Sequence, residues 1–114
     1  DSLETANVCN NIGFILTGQG KLEVALTFLR RSQAIKEDKA PKSLGLATTY
    51  QNIAVILRGR SDLRGATVMI RASEQIRKLL APQSEDMAAT YNVCGLILKD
   101  QGNLNGALKY HYKA

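Results

Sequence analysis

Residues 98–108 read LKDQGNLNGAL, and residues 16–26 read LTGQGKLEVAL. A Gln-Gly turn, a Leu and an Ala-Leu pair are thus written twice, far apart. The stretch is either a Gly-rich loop for phosphate or a structural unit used more than once. The rest of the chain decides. Leu22, Leu63 and Leu104 recur every 41 residues, and so do Ala25, Ala66 and Ala107. Gly13, Ala54 and Gly95 keep the same offset, as do Ala6, Ala47, Ala88 and Leu16, Leu57, Leu98. The connector APKS at 40–43 returns as APQS at 81–84, and Ser2 lies 41 residues before Ser43. No gap is needed, and one register through this many columns is not chance. A fixed period of this length is the signature of a repeat array. The copies run over about 2–42, 43–83 and 84–114, the last one short. In the middle copy Arg60-Ser61 replaces Gln-Gly.

Each copy reads as two helices. The first spans roughly Ser2–Thr17, Ser43–Leu57 and Ser84–Asp100, opening on a Ser suited to cap free N–H groups. Apolar or small residues follow at helical spacing: Cys9, Ile12, Gly13, Leu16 in the first copy, Tyr50, Ile53, Ala54, Leu57 in the second, and Tyr91, Cys94, Gly95, Leu98 in the third. Gly18-Gln19-Gly20 and its counterparts break that helix. The second begins near Leu22, Leu63 and Leu104, and Pro41 and Pro82 follow it where a stop is expected. No alternating run supports a strand. The fold class is therefore all-α. The small columns let two helices joined by a short turn approach closely.

Bulk properties exclude several classes. The chain has 114 residues, enough for one core, with a net charge of +5 and no block of like charges. A basic stripe interleaved with aromatics would speak for nucleic-acid binding, but the chain has no Trp and only two Phe and four Tyr. No window approaches the ~18 apolar residues of a membrane span. The chain begins with Asp1, not Met, and is read as a piece of something longer. Two cysteines, Cys9 and Cys94, make no disulfide framework, and a packed helix between them puts them out of bonding reach. A reducing, cytoplasmic setting is expected.

No constellation carries catalysis. In the phosphate-loop motif, Gly, four spacers and Gly are followed by Lys; after Gly13 and Gly18 comes Gln19. The GQGK stretch is an interhelical turn. His111 is the only histidine, sits in the column of Leu29 and Ile70, and has no metal-ligand partners. No enzyme activity, metal or cofactor is expected. Basic residues crowd the second helices: Arg30, Arg31, Lys36, then Arg71, Arg77, Lys78, then Lys109, Lys113. They are expected to form a solvated surface, with binding to nucleic acid or an anionic surface as the alternative.

A helix–turn–helix unit with a Tyr, a small-residue column, a second-helix Ala and a late Pro resembles the tetratricopeptide repeat. The stretches LATTYQNIAVIL at 46–57 and MAATYNVCGLIL at 87–98 look like the long repeats of kinesin light chains. Similar long repeats occur in ligand-sensing arrays of NB-ARC-type regulatory ATPases, which supply a second functional reading. The resemblance implies a right-handed α-solenoid of three units, first helices on the concave side, binding an extended peptide or a partner helix. On the flank facing that groove lie Asn7, Asn10, Asn11, Phe14 and Thr17, with counterparts Gln51, Asn52, Val55, Arg58 and Asn92, Leu96, Lys99. The column Asn10/Gln51/Asn92 offers an amide in every unit, able to donate to and accept from a peptide backbone. The same amides can instead tie successive helices together. Phe14, Val55 and Leu96 can form apolar pockets, and Arg58 and Lys99 can favour an acidic ligand. Tyr110, Tyr112 and the apolar face of the last helix lack a following unit, so self-association, end-to-end or by exchange of terminal helices, is expected.

Overall fold

The computed structural model describes residues 2–113, excepting the side chains of Tyr112 and Lys113. Among the described residues there are six helices and no strand: α1 (Leu3–Gly18), α2 (Leu22–Lys39), α3 (Leu44–Gly59), α4 (Leu63–Leu80), α5 (Glu85–Asp100) and α6 (Leu104–Lys113). Each first helix starts where the sequence places a Ser. The side chains of Ser2, Ser43 and Ser84 accept from the N–H groups of Thr5, Leu46 and Met87 at 3.1 Å each. Those bonds satisfy N–H groups that have no partner inside the helix.

The Gly-rich stretch is a helix terminator. The N–H groups of Lys21, Asp62 and Asn103 donate back to the carbonyls of Leu16, Leu57 and Leu98, at 3.0, 2.8 and 2.8 Å. That bond spans a left-handed residue, which is Gly20 (φ 78°), Ser61 (φ 62°) or Gly102 (φ 84°). Asp62 and Asn103 then cap the second helix through Gly65 and Gly106, whereas Lys21 makes no side-chain cap.

Helices pair as α1 with α2, α3 with α4 and α5 with α6, antiparallel. Ser32 Oγ donates to the Ala6 carbonyl, and Ser73 Oγ to that of Ala47, both at 2.8 Å. The small columns do the close packing. A Cβ at Gly13 would stand 2.6 Å from Leu29 Cγ and 3.2 Å from the Ala25 carbonyl oxygen. In the middle pair the same columns hold Ala54 and Ile70, both buried, so the pairing residue changes with the size at the crossing. One core, including Leu29, Ile53, Ile56, Leu57, Ile70, Cys94 and Ile97, runs through successive pairs.

His111 does not join it. Its ring lies against Gly95, 3.2 Å from where a Cβ would be, but the residue is exposed, correcting the core placement inferred from its column. The expectation for the last helix divides: Leu104 and Leu108 are exposed, Tyr110 is half-buried with its ring 5.8 Å from that of Tyr91, and the Tyr112 side chain lies outside the described residues.

Ser61 is the non-Gly residue that the turn forces to positive φ. Relief of that strain outweighs the added flexibility of the unfolded chain. Ser61→Gly is therefore expected to raise stability by about 0.5–1 kcal/mol. Chemical denaturation measures this, and a lower midpoint would contradict it.

Candidate functional site

The first helices bring the candidate residues together. The α1 backbone approaches α3, and that of α3 approaches α5, while no comparable approach joins α2 to α4 or α4 to α6 among the described residues. The stack is thus tighter on the first-helix side, which makes that side the inner one. Asn7, Asn11, Asn92 and Lys99 are exposed there. Phe14 is 65% exposed and Val55 42%. Asn52 and Leu96 are half-buried. Thr17 turns back to donate to the Gly13 carbonyl at 2.7 Å.

The amide column is used differently along its length. Asn10 is buried, and its side-chain oxygen accepts from Thr49 Oγ1 at 3.0 Å and Asn52 Nδ2 at 3.3 Å. Gln51 Oε1 accepts from Thr90 Oγ1 at 2.8 Å and from Arg77. Both oxygens are therefore engaged between helix pairs. Asn92, the third member, is exposed.

The partner of this column is a residue that the sequence reading put in solvent. Lys36 and Arg77, 41 residues apart, are each only 3% exposed. Lys36 Nζ donates to the Gly45 carbonyl at 3.3 Å and to Thr49 Oγ1 at 3.2 Å. Arg77 donates to the Asp86 carbonyl at 3.2 Å, to Thr90 Oγ1 at 2.5 Å, to Thr48 Oγ1 at 3.0 Å and to Gln51. Each seam between pairs thus holds the same cluster: a cation from the second helix, an amide from the same pair, and a Thr from the next. The expected solvated basic surface is corrected at these two positions. The signal was in the sequence: Lys36 and Arg77, Ser32 and Ser73, and Thr49 and Thr90 all keep the period.

Besides the two cations, the second seam buries the Glu74 carboxylate, 3.3 Å from Lys78 Nζ. Burial lowers the Lys36 ammonium below its ordinary value. Burial also lowers Arg77, opposed by the charge of Asp86. Two further seam groups shift the other way. Burial pushes the Cys94 thiol up to about 12, with Glu74 adding and Arg71 and Lys78 opposing. Burial, and then a 2.5 Å hydrogen bond from Tyr50 to Glu37 and the charge of that carboxylate, push the phenol up to about 12. Cys9 and Cys94 are both free thiols.

Charge on the inner side is largely balanced. Arg58 Nε meets Asp100 Oδ2 at 2.6 Å across neighbouring pairs. Among the described residues no group of three or more His, Cys, Asp or Glu side chains can hold a metal, and no helix is long and apolar enough to cross a membrane.

Comparison with known proteins matches the family described as tetratricopeptide repeat over residues 5–38 and 87–114. The unmatched middle keeps every 41-residue column but carries Ala54 and Ser61 where both flanking pairs have Gly. No curated protein matches the chain.

Two predictions follow from the seam. Thr49→Val leaves the Lys36 ammonium and the Asn10 oxygen short of a partner and is expected to lower stability by about 1–3 kcal/mol. Lys36→Met removes a buried cation that has only neutral acceptors, and should leave stability unchanged or higher. Equal losses in both, by denaturant titration, would contradict this account. The second concerns pH. The unfolded Cys94 and Tyr50 groups ionise near their ordinary values, but in the fold both stay protonated to about 12. The Cys94 contribution is complete below pH ~9 and that of Tyr50 below pH ~10, and each is lost as pH rises toward about 12. Lys36 acts oppositely, since its folded form favours the neutral amine as pH nears 10.5. Melting temperature is expected to fall between pH 9 and 11, less steeply in Cys94→Ala and more steeply in Lys36→Met.

Proposed function

The chain belongs to the tetratricopeptide repeat family, and on that premise we propose that it is a non-catalytic scaffold that binds an extended peptide along its inner, first-helix face. Tetratricopeptide repeats generally mediate protein–protein interaction. The three-unit, right-handed solenoid and the kinesin light chain-like subtype belong to the same proposal, as does a cytoplasmic location.

The observation that carries the reading is the exposed mixture on that face. Phe14 and Val55 are displayed on the same helices' face as the exposed amides Asn7, Asn11 and Asn92. Apolar side chains recognise ligand side chains, and amides pair with a ligand backbone whatever its sequence. Asn10 and Gln51 contribute by holding the helices in register, because their oxygens are already engaged. Arg58 is paired with Asp100, so an acidic preference rests on Lys99, and a largely uncharged peptide fits this face better. Exposed Leu104 and Leu108 on α6 support self-association as an accompanying property.

The test begins with a peptide selected against the 114-residue chain from a random display library. Phe14→Asp and the double variant Asn7→Ala, Asn11→Ala should each weaken that peptide about tenfold or more, with melting temperature nearly unchanged. Asn10→Ala with Gln51→Ala should instead lower melting temperature, by removing hydrogen bonds worth ~0.5–1.5 kcal/mol each. Selected peptides indifferent to Phe14, Asn7 and Asn11 would refute the groove.

A further inference from the structure

The three copies part company at the middle turn. Gly20 and Gly102 fill the left-handed position of the outer turns, and Ser61 fills it in the middle one at φ 62°. A non-glycine residue held there is strained, and such an outlier points to a use for its side chain. The surroundings change with it. Residues 58–62 read RGRSD, where the other copies read TGQGK at 17–21 and KDQGN at 99–103. Arg58 and Arg60 thus stand three residues and one residue before an exposed serine, and exposed Arg64 follows in the first turn of α4. Neither flanking turn holds an arginine.

The fold separates Ser61 from the two serines that resemble it in sequence. Ser32 follows Arg30-Arg31, and Ser73 stands two residues after Arg71. Both are 0% exposed, and their hydroxyls donate at 2.8 Å to the carbonyls of Ala6 and Ala47. The Ser61 N–H donates to the Arg58 carbonyl at 2.9 Å, a tight turn that keeps the two Cα atoms within ~7 Å. Arg58 and Arg60 are meanwhile held by carboxylates of other pairs. Arg58 Nε meets Asp100 at 2.6 Å, and Arg60 Nε meets Glu23 at 3.2 Å. Glu23 lies on α2 and Asp100 at the end of α5, so the two bridges tie the middle turn to the pair before it and the pair after it. Water-exposed ion pairs of this kind are weak.

We propose that Ser61 is a phosphorylation site for a serine kinase whose acidic substrate cleft selects arginines one and three residues before its target, and that the phosphate draws Arg58 and Arg60 away from Asp100 and Glu23. The step is a phosphoryl transfer from ATP. The Ser61 Oγ–P bond forms, the bond from the γ-phosphorus to its bridging oxygen breaks to leave ADP, and the hydroxyl proton passes to the kinase's catalytic aspartate. The product carries about two negative charges and three strong acceptor oxygens. It attracts a guanidinium more than a single carboxylate does, and its two arginines are near neighbours in the chain. One modification therefore releases both bridges, while the buried clusters around Lys36 and Arg77 stay in place. The site does not rest on the peptide reading of the inner face.

The test uses the whole chain with ATP and the purified catalytic domain of an arginine-directed serine kinase. Mass spectrometry of the intact chain and its fragments should place one phosphate at Ser61 and none at Ser32 or Ser73. Arg58→Gln with Arg60→Gln should slow labelling at least tenfold, and Ser61→Gly, which keeps the turn, should abolish it. No labelling of Ser61, or indifference to the two arginines, would overturn the site. Labelling of Ser32 as fast as Ser61 would overturn it too, because the kinase would then be acting on unfolded chain. The exchange of partners is read separately by NMR. On phosphorylation the side-chain carboxyl carbon resonances of Asp100 and Glu23 should move to the positions they take in Arg58→Gln and Arg60→Gln. Resonances that stay where they are in the unmodified chain would overturn the exchange.

Discussion

A buried cation at each seam is the constraint around which the array is arranged. Removing an ammonium or guanidinium from water is unfavourable by several kcal/mol unless enough acceptors replace the lost hydration. Lys36 and Arg77 find theirs among neutral groups: a first-turn carbonyl and a Thr hydroxyl from the next pair, with Gln51 added for Arg77. That carbonyl and that hydroxyl belong to the following pair, so the cation is satisfied only when two pairs meet in one register. A slip along α3 would take Thr49 and the Gly45 carbonyl away from Lys36 together. Apolar burial supplies the attraction between pairs, and the polar cluster selects the position.

That division of labour explains the uneven amide column. Asn10 and Gln51 lie where a following pair presents a Thr, and their oxygens are taken. Asn92 occupies the same column and is exposed. One step further round the helix Asn7, Asn11 and Phe14 are exposed, on the side where first helices crowd together, and the proposed peptide site rests on them. The proposed scaffold separates tasks by face. The seams hold register, and the inner face offers apolar and amide groups with little uncompensated charge.

The close crossings set the second limit. Gly13 has room for hydrogen and nothing more, because Leu29 and the Ala25 carbonyl fill the space. Ala54 shows that the column tolerates one methyl when the facing residue changes to Ile70. Size is shared across the crossing between the two helices, as dense packing requires. The left-handed turn residue obeys a backbone rule instead, and Ser61 occupies it at the expense of strain.

The sequence alone determined the six helices, their Ser caps, the turns and the pairing, because those depend on local chemistry repeated at a fixed spacing. Each Ser2-type cap acts within one turn, and each Gly20-type turn acts within five residues, so no distant neighbour is needed to read them. It also determined which columns are small, since Gly and Ala recur at the crossings. Only the tertiary structure decided the fate of polar residues. Lys36 and Arg77 look solvated in a helix otherwise rich in charge, and Asn10 looks like Asn92. Their burial depends on what the next pair places over them, and a side chain's solvation is a property of its neighbours in space.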